Sequence, residues 1–364
     1  MKWSPQQDGA LRAVSNWLKA GETNVFRLFG YAGTGKTTLA RHFADGLEGK
    51  VLFGAFTGKA ALVMRSKGCK NASTIHSMIY RLDDEGAGTP TFTLNSNAAL
   101  KKAELCVIDE CSMVDDELGR DLLSFNIPIL VLGDPEQLPP VKGAGFFTNA
   151  EPDYMLSEVH RQAQDNPIIR MSMDVREGRA LELGSYGESR VVSPDDVTPE
   201  EVSAAEQVLV GRNVTRRNYN KRLRELRGFE KEMPEVGERL VCLRNNKSKG
   251  LLNGGIWTVA EIRKETRKEI QMLLEPEDAG GRRKSARVKV RKEFFLGTED
   301  TLSWPEQKKS DEFDFGYALT VHKAQGSQWN DVFLFDESAL FRDEARRWLY
   351  TGITRAAERV IVVT

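Results

Sequence analysis

The sequence predicts an α/β protein of two domains, each built on a mostly parallel sheet covered by helices on both faces. Four short apolar runs, Val25–Phe29, Val51–Phe56, Leu105–Ile108 and Ile129–Leu132, are separated by segments long enough for crossover helices. The first run ends in Gly30–Thr38, GYAGTGKTT, which fits the phosphate-loop pattern G-x-x-x-x-G-K-[ST] between a strand and a helix. A second set of strand-like runs, Gln207–Val210, Arg239–Leu243, Ala318–Val321, Val332–Phe335 and Val360–Val363, extends to the last residues. With 364 residues in all, each half is long enough for its own core. The expected boundary divides 1–150 from 151–364.

The elements follow in order. Ser4 caps a first helix, Pro5 suits its first turn, and Ala10, Leu11, Val14, Trp17 and Leu18 recur on one face. Between the second and third strands, Asp83 to Asn97 is rich in Gly, Pro, Thr and Asn. That composition breaks the α/β rhythm and predicts a loop or hairpin inserted into the first domain, at about 80–102. In the second half, Asn245 to Asp314 carries NNKSKGLLNGG and then alternating pieces, Ile256–Ile262, Ile270–Leu274 and Val288–Val290. It reads as a small inserted β-domain with a basic cluster that includes Arg263, Lys264, Arg267, Lys268, Arg287, Lys289 and Lys292. Glu261, Glu265 and Glu269 are mixed in, which leaves open a solvated surface or a nucleic-acid face.

Composition excludes several classes. Lys and Arg (52) nearly balance Asp and Glu (53), so no long-range field recruits a polyanion, and a nucleic acid would have to be held in a local groove. Cys69, Cys106, Cys111 and Cys242 show no C-x-x-C spacing, and a structural metal or disulfide framework is not expected. No run has the length of a membrane span, and MKWSPQQDG lacks the apolar stretch of a signal peptide. The expected setting is a reducing cytoplasm.

The chemistry begins at the phosphate loop. Gly33 and Gly35 let the backbone approach an anion, and the amides of Thr34, Gly35 and Thr38 open a helix whose N-terminus favours negative charge. Lys36 is expected on the β- and γ-phosphates of a nucleoside triphosphate, with the Thr37 hydroxyl on Mg²⁺. Val107-Ile108-Asp109-Glu110 places two carboxylates at the C-terminal end of an apolar strand, where open α/β sheets present ligands. Asp109 suits a metal shell, and Glu110 suits orienting and deprotonating a water that attacks the γ-phosphate. After the fourth strand comes GDPEQLPPV, in which Gln137 could touch both the γ-phosphate and that water.

Taken together, these motifs resemble those of superfamily 1 DNA helicases of the RecD/Dda-like 5′→3′ branch (SF1B), nearly end to end. Trp3-Ser4-Pro5-Gln6-Gln7 is similar to the family's adenine-reading motif, with Gln7 in the reading position; Gln7 is equally a capping-box partner of Ser4. Thr57-Gly58-Lys59-Ala60-Ala61 and Ser73-Thr74-Ile75-His76-Ser77 resemble segments that line the single-strand track, which implies Thr57, Lys59, Thr74 and His76 as contacts to phosphate and sugar. Arg161 and Arg355 match two arginines that the family directs across the cleft between its domains onto the γ-phosphate. GYALTVHKAQGS, from Gly316 to Ser327, implies Thr320, His322 and Lys323 on the strand and Gln325 and Gly326 facing the nucleotide. Gln328 stands where many relatives carry a glutamate, which puts sugar selectivity in doubt.

The resemblance implies two RecA-like P-loop NTPase domains, the hairpin acting as a pin with Phe92 stacking on the last base pair, and an SH3-like β-barrel in the second domain. It implies ATP and Mg²⁺ as cofactors, and single-stranded DNA and single-strand/duplex junctions as partners, with replication or repair proteins beyond them. It further implies a monomer with no membrane attachment. The alternative from another class is a translocase or strand-binding switch that strips or loads proteins without unwinding.

Overall fold

A computed structural model describes residues 3–83, 91–140, 143, 145–158, 166–277 and 285–364. The chain forms two compact units: Met1–Leu181 with Asp343–Thr354, and Glu182–Arg342 with Arg355–Thr364. The boundary expected at 150/151 thus lies inside the first unit, which also takes in a helix from far down the chain. Contacts that no short-range pattern reports bring that helix in.

The first unit opens with helix Pro5–Ala20. Ser4 and Gln7 form its capping box, and Gly21 ends it at φ 62°, donating its amide to the Trp17 carbonyl. Strands β1 (Val25–Gly30), β2 (Val51–Ala55) and β3 (Ser73–Thr74) come next, then the hairpin strands β4 (Tyr80–Asp83) and β5 (Thr91–Leu94), β6 (Leu105–Asp109), β7 (Ile129–Gly133) and β8 (Tyr154–Leu156). The main sheet has the order β3-β2-β6-β7-β1-β8, and every pairing in it is parallel.

Period-two alternation divides each central strand between two cores. Leu105, Val107, Leu130 and Leu132 pack on one face with Leu28 and Leu39, whereas Cys106, Ile108, Ile129 and Val131 pack on the other with Phe29 and Leu122. A sheet buried on both faces therefore reads as continuous apolar runs. The two strands without such a run, β3 and β8, escaped the sequence reading. Strands β4 and β5 pair antiparallel, from Tyr80↔Leu94 to Asp83↔Thr91, as the hairpin reading expected. The side chain of Phe92 lies outside the described residues.

The second unit holds β9 (Gly184–Tyr186), β10 (Ser189–Val192), β11 (Gln207–Val210), β12 (Arg239–Cys242), β13 (Ile256–Glu265), β14 (Glu269–Pro276), β15 (Ala286–Arg291), β16 (Phe313–Phe315), β17 (Ala318–Thr320), β18 (Trp329–Phe335) and β19 (Ala356–Val363). One sheet has the order β17-β11-β18-β19-β10-β9, parallel except at the edge strand β9. The other, β15-β14-β13-β12-β16, is antiparallel throughout.

Two corrections follow. Arg239–Leu243, read as a strand of the α/β sheet, contributes β12 (Arg239–Cys242), which pairs instead with β13 and β16. The inserted β-domain is an open five-stranded sheet among the described residues, and no closed barrel forms. Nor is it independent: Trp257, Ile270, Met272, Leu274 and Val288 share one core with Val208, Val210 and Phe333 of the parallel sheet. Three residues of its basic cluster are matched by carboxylates, Lys289 on Glu269 at 2.8 Å, Lys292 on Glu265 at 2.5 Å and Arg263 on Glu261 at 3.2 Å. Exposed pairs of this kind contribute little to stability, and here they cancel local charge.

Candidate nucleotide site

The site is built where β6, β7 and β1, neighbours in a parallel sheet, release their C-terminal ends on the same side. After β1, Gly33 and Gly35 take φ 78° and 82°, and Gly35 opens helix Lys36–Asp45 with no side-chain cap. A side chain at Gly35 would meet both that left-handed backbone and Gln7 Nε2, 3.1 Å from its Cβ. The Lys36 ammonium folds over the loop and donates to the carbonyls of Gly30 and Tyr31. Thr34 Oγ1 closes the turn by donating to the Tyr31 carbonyl at 2.8 Å.

Thr37 Oγ1 donates to Asp109 Oδ2 at 2.7 Å, joining the phosphate-loop helix to the end of β6. A hydroxyl and a carboxylate in contact, with no soft ligand beside them, fit a hard cation such as Mg²⁺. Glu110 sits in the left-handed region at φ 55°, an unusual conformation for a glutamate, while its amide donates to Asp109 Oδ1 at 2.9 Å. Gln7 is the capping-box partner of Ser4, its Oε1 accepting from the Ser4 amide, and its Nε2 donates to the Thr34 carbonyl of the phosphate loop at 3.2 Å.

Gln137 is buried, 8% exposed, and its Oε1 has no hydrogen-bond partner among the described residues. The segment leading to it is fixed by contacts that the sequence reading missed. Asp134 Oδ1 accepts from the Glu136 amide at 3.0 Å, and Tyr350 Oη donates to Asp134 Oδ2 at 2.6 Å. The Leu138 amide donates to Thr351 Oγ1 at 2.9 Å. Tyr350 and Thr351 lie in helix Ala345–Ile353. The same Tyr350 hydroxyl accepts from the Ala32 amide of the phosphate loop at 3.1 Å, and the Arg176 guanidinium stacks 3.7 Å from the centre of the Tyr31 ring. No spacing rule links Tyr350 to Asp134; their only sequence signal was that each sat inside a motif already singled out.

The other candidate residues fall into two groups. In the first unit, Thr57 and Thr74 each cap a helix, at the exits of the adjacent strands β2 and β3, accepting from the amides of Ala60 and Ser77. Lys59 is buried there, and His76 lies between the rings of Phe56 and Tyr80, 5.8 and 5.7 Å away. In the second unit, Thr320 caps Val321–Ala324 by accepting from the Lys323 amide. Burial, with Arg216 nearby, lowers the pKa of Lys323. The His322 ring is 5.5 Å from that of Phe341.

Gln325 and Gly326 precede Ser327, whose carbonyl accepts from buried Arg355 at 3.2 Å. Gly326 takes φ 71°, and Gln328 is exposed. Thr38 lies in the first turn of the phosphate-loop helix. Arg161 lies outside the described residues. Among the described residues no helix is long and apolar enough to cross a membrane, and no group of three or more His, Cys, Asp or Glu could hold a metal.

A phosphate loop joined to an acidic strand end, on a parallel sheet buried on both faces, defines a P-loop nucleotide-binding unit. The AAA domain family matches residues 3–193, over half of the 364, and the UvrD-like helicase C-terminal domain matches residues 315–363. The chain is 31% identical over 356 residues to the ATP-dependent RecD2 DNA helicase of Deinococcus radiodurans, covering 91% of this chain and 46% of that protein. It is 30% identical over 188 residues to the ATP-dependent DNA helicase dda of Enterobacteria phage T4, covering 48% and 42%. Thus the chain spans about half the length of the curated relatives it matches.

Among solved structures, Pif1 helicase from Candida albicans aligns with TM-score 0.59 at 17% identity, over 100% of this chain and 95% of that one. Bacteroides Pif1 bound to ssDNA aligns with TM-score 0.58 at 16% identity, over 100% and 92%. The α/β fold is that of the Pif1 helicases, with RecA-like domains. The chain belongs to the RecD/Dda-like superfamily 1 helicases (SF1B).

Proposed function

We propose that the protein is an ATP-dependent DNA helicase that translocates 5′→3′ on single-stranded DNA and unwinds duplex. The observation that carries this reading is the contact between Thr37 and Asp109 beneath an uncapped helix N-terminus, with Glu110 and Gln137 on the neighbouring strand ends. ATP is the substrate, held by the amides of Gly33–Thr38 and by Lys36, with Gln7, Gln325 and Gly326 toward the base and sugar. When bound through Thr37 and Asp109, Mg²⁺ neutralises phosphate charge. Glu110 accepts a proton from the attacking water, Gln137 orients that water, and Arg161 and Arg355 stabilise the charge that develops on the γ-phosphate.

Thr57, Lys59, Thr74 and His76 from one unit, and Thr320, His322 and Lys323 from the other, hold the strand through sequence-independent contacts. The hairpin β4–β5 serves as the pin, Phe92 stacks on the junction base pair, and the antiparallel sheet takes the place of an SH3-like module. The protein acts as a cytoplasmic monomer. Supporting this reading are the RecD2 and dda likenesses.

Two measurements test it. Glu110→Gln is expected to abolish strand-stimulated ATP hydrolysis while ATP still binds, and brisk hydrolysis by that variant defeats the assignment. Matched duplexes bearing a 5′ or a 3′ single-stranded tail test the rest, with the 5′-tailed duplex alone expected to open. Opening only the 3′-tailed duplex reverses the polarity, and opening neither, despite ATPase activity, makes the protein a translocase without unwinding.

A further inference from the structure

Two loops of the candidate site, Gly30–Thr38 and Asp134–Leu138, lie on neighbouring strand ends, yet the contact that joins them comes from a residue more than two hundred positions away in sequence. The Tyr350 hydroxyl has one proton to give and lone pairs to accept with, and both capacities are used: the proton goes to Asp134 Oδ2 at 2.6 Å, and the Ala32 amide donates to the oxygen at 3.1 Å. Tyr350 and Asp134 are 1% and 2% exposed, so water cannot stand in for either partner. The next residue, Thr351, is fully buried and accepts from the Leu138 amide.

The segment between these holds is short, and Gln137 lies inside it. Its amide donates to the Asp134 carbonyl at 3.2 Å, and its own buried Oε1 has no partner among the described residues. Burial, reinforced by the Asp134 charge and hydrogen bond, keeps the phenol well above its ordinary pKa, so it remains a neutral donor across the physiological range.

We infer that Tyr350 is a positioning residue of the nucleotide site, whose hydroxyl fixes the phosphate loop and the Asp134–Leu138 loop to one another and so sets where the Gln137 amide meets substrate. The inference rests on the reading that this chain hydrolyses ATP. Tyr350 touches no reacting atom; it acts through Asp134 and Ala32. Removing the hydroxyl leaves Lys36 and the loop amides able to bind phosphate but frees Gln137 to drift. Displacements of about 1 Å cost on the order of 10²-fold in rate.

The test is Tyr350→Phe, which keeps the ring, with Asp134→Ala, which removes the acceptor, as a second variant and the two combined. The expected result is a fall in strand-stimulated kcat of roughly tenfold to a hundredfold with KM for ATP changed less than about threefold. The double variant should be no worse than the poorer single one, since both break the same contact. Amide hydrogen exchange, read without turnover, should quicken at residues 30–35 and 134–138 while the strands of the sheet keep their protection. A loss of kcat matched by an equal loss of global stability, or singles whose effects simply add, would reduce Tyr350 to packing and overturn the inference. Unchanged exchange at both loops overturns it too. If the unaltered protein hydrolyses no ATP, the proposed function fails, and the exchange result alone then decides whether Tyr350 holds the loops.

Discussion

Two helices of this molecule begin in the same way, and their N-termini are treated oppositely. In the first unit, β1 runs into helix Lys36–Asp45, whose cap residue Gly35 offers no side chain to the first amides. In the second, β11 runs into helix Asn213–Leu226, and the turn between them is covered by the carboxylate of Glu337. Glu337 Oε2 accepts from the amides of Gly211 at 2.6 Å and Arg212 at 3.1 Å, and Oε1 accepts from Thr215 Oγ1 at 2.7 Å. Gly211 is required there: a Cβ would come within 2.8 Å of the Glu337 Cβ. Both ends favour negative charge for the same reason, unpaired amides and an aligned dipole. One unit supplies that charge from its own chain, and the other leaves the amides beside a lysine and two carboxylates. A helix N-terminus therefore says little about function until the fold reveals what sits on it.

The comparison can be broken in several places. The largest effect is expected from Lys36→Ala, which removes the cation folded over the loop at the uncapped end; hydrolysis should fall on the order of 10³-fold while the fold persists. ATPase assays beside a thermal melt check this, and retained activity would show that the end is not a phosphate site. Next, Glu337→Ala strips the other end of its anion and leaves the Gly211 and Arg212 amides without that partner. A loss of about 1–3 kcal/mol is expected in denaturant titration.

The pH dependence gives a finer view of Glu337. Burial works against its charge, but the bonds from Thr215, Gly211 and Arg212, with the Arg212 cation, outweigh it and hold its pKa below the usual carboxylate value. Its contribution is therefore complete above the ordinary carboxylate range and is lost as pH falls through the lowered folded value. Glu337→Gln should flatten that part of the acid-stability curve, and an unchanged curve would show that the carboxylate does no capping. Gly35→Ala forces a Cβ into the φ 82° conformation, with an expected cost of about 1–3 kcal/mol and weaker ATP binding by calorimetry. The smallest change is Thr215→Val, which deletes one of four hydrogen bonds to the Glu337 carboxylate and should cost about 1 kcal/mol.

Much of this architecture could be read from the chain. Runs such as Leu105–Ile108 and Ile129–Leu132 announced strands because a doubly covered sheet needs apolar side chains at every position. Short or half-covered strands such as β3 and β8 sent no such signal. Arg239–Cys242 looked like the others, but its partners β13 and β16 belong to the antiparallel sheet, and an apolar run does not name its partner. At the site, Lys36, Thr37, Asp109 and Glu110 were legible because phosphate chemistry demands those residue types at fixed spacing beside strand ends. Tyr350 and Glu337 were not, because a hydroxyl or carboxylate that acts from a distant segment leaves no local pattern.

The sequence by itself thus determined the parallel sheets, the phosphate loop and the acidic strand end, since each follows from short-range periodicity or from backbone needs at particular glycines. Only the tertiary structure decided that Asp343–Thr354 joins the first unit, that Tyr350 ties Ala32 to Asp134, and that Glu337 rather than a ligand covers the second helix end. Those outcomes depend on which distant segments pack together, and the burial free energy that selects such packing is non-directional and spread along the whole chain.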